Sequence, residues 1–395
     1  MKQLVVTPSF PFSTHTFVTR EIAETLARGH DVLILAPTDG DYEGHILANR
    51  LKISPQQIIY ANAAKMPLLS TDSRRLTMQV REAARREEYG FLLAERRKTF
   101  FCRLLRTPDL QDVQLIHAHF AGWAYEVAMP LSRLLGVPYT VTAHDSHLAS
   151  HSAYHLRQLQ NSAAAITLPS QTWRDVWQEK TGHADRLHVL PNAVDTDAFQ
   201  PPCLPLSGQR EIALLTVSRL IPHKRISDGL QAVHRLLNLG IPCRYTVIGD
   251  GPEAETLAQV ASELGISSHV FFLGAQSHER VALELQRSEI YLHPSEKESF
   301  GVAVIEAMAA YLPVVAARSG GTQDTVESGV TGQLYTPGDI DALVDTLTTL
   351  AHNPHLRTSW GKAGRARVER LYSWNTHMTA LLELWNQALL AGKRD

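Results

Sequence analysis

The chain has little cysteine, no lopsided charge and no long apolar run. Its three cysteines, Cys102, Cys203 and Cys243, stand far apart among 395 residues. An odd, scattered set of thiols makes neither a disulfide framework nor a zinc site and suits a reducing compartment. Lys and Arg number 38 against 40 Asp and Glu, which leaves no basic footprint for nucleic acid. No stretch stays apolar for the roughly 18 residues that a membrane span needs. The N-terminal MKQLVVTPSFPF is interrupted by prolines before it reaches the apolar length of a signal peptide. Between Thr7 and Thr16 there is no glycine, so the G-x-G-x-x-G turn of a nucleotide-dependent dehydrogenase is missing. These absences leave a cytoplasmic globular protein as the expectation.

What is present is a regular alternation. Short β-rich apolar runs alternate with longer amphipathic patterns, the mark of βαβ units and parallel sheets. The first half offers strands at Leu4–Thr7, Val32–Ala36, Ile58–Ala61, Leu115–Ala118, Tyr139–Ala143, Ala165–Leu168 and His188–Leu190. The second half offers Ala213–Ser218, Tyr245–Gly249, Val270–Leu273, Ile290–His293, Val314–Ala317 and Gly332–Tyr335. Helical patterns include His15–Arg28, Ser227–Asn238, Glu253–Leu264 and Phe300–Ala310. A length of 395 residues suits two domains, and the proline-rich FQPPCLPLSGQ reads as the joint between them. The expected organisation is a Rossmann-like domain at 1–198, a linker at 199–210, a second Rossmann-like domain at 211–372 and a terminal helix at 373–395 returning across the cleft. Ligands of such sheets sit beyond the carboxyl ends of the strands.

One segment departs from the alternation. Arg74–Arg106 holds ten basic and four acidic residues interleaved with Leu76, Val80, Phe91, Leu92, Phe100, Phe101, Leu104 and Leu105. It reads as amphipathic helix with a basic face, either a solvated cover on the core or a surface for anionic lipid.

The strongest signal is His293–Gly321, HPSEKESFGVAVIEAMAAYLPVVAARSGG. A strand ends at His293, a polar loop carries Glu298, and a helix starts near Phe300 with Glu306 two turns in. Two carboxylates so spaced can both accept hydrogen bonds from the hydroxyls of a sugar and a ribose. Free N–H groups at Ser299–Val302 suit a pyrophosphate, and Gly301 lets a phosphate approach the backbone.

This segment resembles the signature of the "glycosyl transferases group 1" family of retaining GT-B enzymes, with its E-x7-E, EAMA-type run and Gly-Gly loop. Other matches run along the chain. Ser218–Lys224 (SRLIPHK) resembles the family's Arg-x4-Lys phosphate clamp, and Pro191–Asp195 (PNAVD) its segment before the linker. Gly249–Pro252 (GDGP) and Phe272-Leu273-Gly274 resemble the turns around the nucleotide. Ser13–Ile22 (STHTFVTREI) and Ile116–Phe120 (IHAHF) resemble a subgroup acting in exopolysaccharide and lipopolysaccharide assembly, and Thr142-Ala143-His144-Asp145 resembles the T-x-H-D turn facing the donor sugar and acceptor. Departures exist: the first loop lacks the Gly-Gly turn of many relatives, and Ser299 replaces the usual glycine before the aromatic.

The resemblance implies an α/β GT-B fold of two doubly wound domains facing across a cleft. It implies transfer of a sugar from a UDP- or GDP-type nucleoside-diphosphate sugar to a glycan or lipid-linked acceptor in envelope or exopolysaccharide synthesis, with retention of configuration. The nucleotide sugar is a co-substrate; no cofactor, metal or nucleic acid is expected, and no D-x-D loop stands out where a Mg²⁺–diphosphate site would be. Glu298, His144, Arg219 and Lys224 are then the expected catalytic residues. Glu306, Ser299, Phe300, Gly301, Ser218 and Gly274 are expected at the donor, and His119, Asp145 and His15 at the acceptor. The enzyme would work in the cytoplasm, peripherally at the inner face of the plasma membrane if 74–106 meets anionic lipid. Plainer roles stand beside these: Glu298 as a helix cap, Arg219 and Lys224 as surface cations, His144 and His119 as packing residues. His147, His151 and His155 share metal-ligand spacing, but no H-E-x-x-H accompanies them. A nucleotide-sugar epimerase or an inactive binding homologue would share the fold; the latter should have lost Arg219, Lys224 or Glu298.

Overall fold

The structure is a computed structural model that describes residues 1–12, 15–60, 101, 104–105, 107–144, 151–201 and 211–392. Within these the chain forms two compact units. Unit 1 comprises Met1–Pro169, Arg174–Leu190 and Met378–Asp395; unit 2 comprises Ser170–Trp173 and Pro191–His377.

Unit 1 is built on seven parallel strands: β1 Lys2–Val6, β2 Asp31–Ala36, β3 Ile58–Tyr60, β4 Leu115–His119, β5 Tyr139–Thr142, β6 Ala165–Leu168 and β7 Leu187–Val189, in the order β3-β2-β1-β4-β5-β6-β7. Its helices are α1 Thr16–Ala27, α2 Tyr42–Arg50, α3 Trp123–Leu135, α4 Ala153–Ser162 and, from Arg174 onward, α5 Gln171–Thr181. Val5, Ile34 and Ala36 of the sheet pack with Val18 and Ile22 of α1 in one core cluster. Every residue of β4 is buried, His117 and His119 included.

Unit 2 repeats the plan with β8 Ile212–Val217, β9 Cys243–Ile248, β10 Val270–Phe272, β11 Ile290–His293, β12 Val314–Ala317 and β13 Gly332–Tyr335, ordered β10-β9-β8-β11-β12-β13. Its helices are α6 Ile226–Asn238, α7 Ala254–Glu263, α8 His278–Gln286, α9 Val302–Ala309, α10 Thr322–Thr325, α11 Ile340–His352 and α12 Pro354–Leu371; α13 Trp374–Ala391 follows. Along β12, Val315 and Ala317 enter one core cluster while Val314 and Ala316 enter another. The sheet is therefore covered on both faces, which is why its strands read as unbroken apolar runs.

The expected strands are all found, with ends shifted by a residue or two. The segment Pro191–Phe199 belongs to unit 2, tied there by the Arg365 guanidinium, which donates to the Thr196, Phe199 and Ala309 carbonyls at 2.8, 2.9 and 2.8 Å. From Met378 onward α13 groups with unit 1. Residues 202–210 of the expected linker and most of the basic segment 74–106 lie outside the described residues, as do Asp145 and His147.

Candidate donor site in unit 2 and histidine cluster in unit 1

In each sheet the order reverses at one place, between β1 and β4 and between β8 and β11. Loops leaving those strand ends diverge, and a doubly wound sheet binds ligands in the gap. In unit 2 the loop after β8 carries Ser218, Arg219 and Lys224, and the loop after β11 carries Glu298, Ser299 and Gly301. The topology thus brings together two motifs some seventy positions apart in sequence.

The two loops lock through an ion pair. Lys224 Nζ lies 2.6 Å from Glu298 Oε2, and each side chain is only 13% exposed. His293 Nε2, at the end of β11, is 3.0 Å from the same oxygen. Oε1 has no partner among the described residues, so one lone-pair face of the carboxylate stays open to a hydroxyl donor. Burial opposes the charge on Glu298, but the His293 hydrogen bond and the Lys224 ammonium outweigh it and hold the carboxyl well below the usual range. Two contacts to one carbonyl reinforce the junction, Glu296 N donating to His223 O at 3.0 Å and Ser295 Oγ to the same oxygen at 3.4 Å.

The Gly320-Gly321 turn is required by close approach. Gly321 N donates to Glu298 O at 2.9 Å. A Cβ on Gly320 would stand 2.0 Å from that oxygen, and one on Gly321 would stand 2.4 Å from Phe300 Cα. Gly301 takes φ +92° as the residue before α9, a conformation that side chains resist. The helix thus begins at Val302, two residues after the position expected; Val304 N and Ile305 N donate to Gly301 O at 2.9 and 3.2 Å, and the N–H groups of Val302 and Ala303 have no backbone acceptor among the described residues.

Arg219 is exposed, and its side chain makes no hydrogen bond or ion pair with a described residue. Positive charge gathers around it: burial and then Lys224, Arg219 and Lys297 lower the pKa of His223. Glu306, in the second turn of α9, has Oε1 3.7 Å from His278 Nδ1. Tyr291 feels the charge of both acids. Fully buried, with its hydroxyl donating to Val217 O at 3.2 Å, its phenol is pushed far up by burial and by the charges of Glu306 and Glu298.

Ser218 is half-buried and Gly274 exposed, and Gly249 N donates to Gly274 O at 2.9 Å. The Phe300 ring is 1% exposed and stands edge-on to Tyr372 at 5.5 Å. It is a core side chain, so a donor contact there falls to its backbone. Sequence reading passed over His293 and Tyr291, whose signal was their place on the strand at the reversal point. It also passed over Arg225, which pairs with buried Asp228 at 2.8 and 3.1 Å and so anchors the start of α6.

In unit 1, His144 sits just past β5 with its ring 4.5 Å from Phe17 and 5.3 Å from Phe120. Phe120 holds φ +75° at the end of β4, an unusual conformation for an aromatic residue. The His15 ring lies tilted against it at 4.9 Å. His119 Nδ1 is 3.1 Å from His144 Nε2. His151 and His155 stack at 5.0 Å, and His155 Nε2 is 2.9 Å from Ala121 O, an ordinary strand-cover contact.

Known proteins agree with this architecture. Residues 15–198 match the family described as Glycosyltransferase Family 4, and residues 205–367 match Glycosyl transferases group 1. The GDP-mannose-dependent alpha-(1-6)-phosphatidylinositol monomannoside mannosyltransferase of Mycolicibacterium smegmatis is 29% identical over 318 residues, 75% of this chain and 81% of that protein. The 2-deoxystreptamine glucosyltransferase of Streptomyces kanamyceticus is 27% identical, covering 86% of this chain and 95% of its own. Among solved structures, Anabaena Alr3699/HepE in complex with UDP superposes with a TM-score of 0.75 at 21% identity, over 98% of this chain and all of that one. The chain belongs to the group 1 glycosyltransferases and has their GT-B fold.

Proposed function

We propose that the protein is a retaining glycosyltransferase that moves a hexose from a UDP- or GDP-sugar to a glycan or lipid-linked acceptor in envelope or exopolysaccharide synthesis. The observation that carries this reading is the convergence of Arg219, the Lys224–Glu298–His293 cluster and the open first turn of α9 at the β8/β11 reversal point. When the glycosidic bond breaks, charge develops on the diphosphate. Arg219, Lys224 and the α9 N–H groups stabilise it where it forms. Glu298 accepts hydrogen bonds from donor-sugar hydroxyls through Oε1, and Glu306 accepts from the ribose. Lys224 serves both purposes, fixing the Glu298 carboxylate and reaching the phosphate.

No side chain is assigned as a nucleophile. The acceptor hydroxyl attacks the face from which the diphosphate leaves, and the departing phosphate oxygen takes its proton. Phosphate charge is met by cations of the chain, so the reading needs no metal. Relatives supply the substrate classes: one is named for GDP-mannose and a phosphatidylinositol monomannoside, another for a 2-deoxystreptamine acceptor. A lipid-borne acceptor would bring the basic segment 74–106 to an anionic membrane face.

The test is acceptor-dependent release of nucleoside diphosphate, with the anomeric configuration of the product read by proton NMR. Retained configuration supports the reading; an inverted product refutes the mechanism. Release that ignores acceptor over a broad panel refutes the transferase role.

A further inference from the structure

A second constellation lies wholly inside unit 1. Glu21 projects from α1 into the sheet, where its Oε1 is 3.3 Å from both His117 Nε2 and His119 Nε2. Both rings are fully buried, and Glu21 is 3% exposed. The two histidines differ in their other partners. His117 is held by threonines, with Nδ1 2.8 Å from Thr140 Oγ1 and Nε2 3.2 Å from Thr142 Oγ1, and Trp385 closes over it edge-on at 5.2 Å. His119 meets His144 through Nδ1, its ring stacked on that of His144 with an interplanar angle of 16°, while its buried Nε2 faces Glu21 at 3.3 Å without forming a hydrogen bond.

A neutral imidazole carries one N–H and one lone pair, and the partner of each nitrogen decides which is which. A carboxylate oxygen offers only lone pairs, and at 3.3 Å it repels a second lone pair and attracts an N–H even without a formed hydrogen bond, so the His119 nitrogen facing Glu21 is assigned the proton. His119 Nδ1 is then an acceptor, and the bond at 3.1 Å runs from His144 Nε2–H to it. His144 is left with its lone pair on Nδ1.

We propose that Glu21 and His119 are positioning residues that fix His144 as its Nε2–H tautomer, the form used in sugar transfer. The inference rests on the proposed transferase function, and on the catalytic role that the family resemblance implies for His144, only for its kinetic consequence. The order of groups, carboxylate then imidazole, is that of the Asp–His pair in serine proteases lengthened by one ring, with a contact in place of the carboxylate hydrogen bond. A carboxylate-to-amide change there leaves the geometry intact but reverses the tautomer, at a cost of about 10⁴ in kcat.

The experiment uses the full-length chain labelled with ¹⁵N at histidine, comparing wild type with Glu21→Gln and His119→Phe. Two-bond ¹H–¹⁵N correlation should show His144 protonated at Nε2 in the wild type. Glu21→Gln offers His119 an N–H, so it should shift His144 toward the Nδ1–H form. His119→Phe keeps a ring for stacking but removes the acceptor, so it should leave His144 a mixture. In both variants kcat should fall by about 10²-fold or more with the donor KM nearly unchanged, toward the triad precedent. A wild-type His144 protonated at Nδ1, or tautomers unmoved by Glu21→Gln in a protein that melts normally, overturns the proposal. So does a stoichiometric divalent ion in the purified protein by elemental analysis. The ligating atoms of Glu21, His117 and His119 lie within 4.8 Å of one another, and an ion there would take the lone pairs. Tautomers that move while His144→Ala retains full activity refute the role assigned to His144 and leave the relay standing.

Discussion

Replacing Lys224 by methionine separates what this residue does for the fold from what it does for the donor. The ammonium and carboxylate are 2.6 Å apart, each 13% exposed. At an effective dielectric near 20 their attraction is about 6 kcal/mol, opposed by several kcal/mol of dehydration for each ion. Breaking such a pair by removing one member costs roughly 3–5 kcal/mol, because the other charge is left behind. Glu298 keeps His293 at 3.0 Å, so the lower end applies, about 3 kcal/mol. For a unit of some 150–250 residues this lowers the melting temperature by roughly 6–12 °C. Arg219→Ala should behave differently: an exposed residue without a described partner costs within about 0.5 kcal/mol, yet turnover should fall about 10²–10³-fold. Differential scanning calorimetry and a donor-turnover assay on both variants give the comparison. In a Glu298→Gln background Lys224→Met should cost much less, since no charge remains stranded. A melting temperature unchanged by Lys224→Met, or a loss equally large in that background, would refute the reasoning.

Four further outcomes follow. Glu306→Ala should lower donor turnover by a factor of about 10²–10³ with the fold intact by circular dichroism. The depressed pKa of Glu298 adds stability that is fully present above the unfolded value near 4.3 and lost as pH falls toward the folded value; Glu298→Gln should flatten acid-unfolding curves below about pH 4. Chelation by EDTA should leave turnover intact, and loss restored by Mg²⁺ or Mn²⁺ would contradict the cationic clamp. Vesicles of anionic lipid should retain the protein in flotation assays, less so at high salt or with Arg85, Arg86, Arg96 and Arg97 replaced by glutamine, while neutral vesicles should not.

Much of the fold was legible because parallel sheets covered on both faces write their strands as unbroken apolar runs, as Val314–Ala317 does. The donor motifs were legible because glycines and paired carboxylates recur at fixed offsets around a strand–helix junction. What sequence could not disclose was partnership. Lys224 and Glu298 are seventy-four positions apart, and only the placing of β8 beside β11 joins them. His293 read as a strand end, with no local sign that its ring meets Glu298. Glu21 lay within the Ser13–Ile22 segment without being singled out, although it is turned inward to two strand histidines. Such burial of charge depends on what the sheet offers opposite, which no local pattern records.

The most direct measurement is thermal protection by a panel of UDP-, GDP-, ADP- and dTDP-sugars on wild type, Arg219→Ala and Glu306→Ala. A ligand at a hundred times its Kd stabilises by about 2.7 kcal/mol, or roughly 5–10 °C for a unit of this size. The account predicts that at least one UDP- or GDP-sugar raises the wild-type melting temperature in proportion to the logarithm of its concentration, and that both variants lose the response. No protection by any nucleotide sugar, or equal protection in the variants, would contradict the assignment of the donor site.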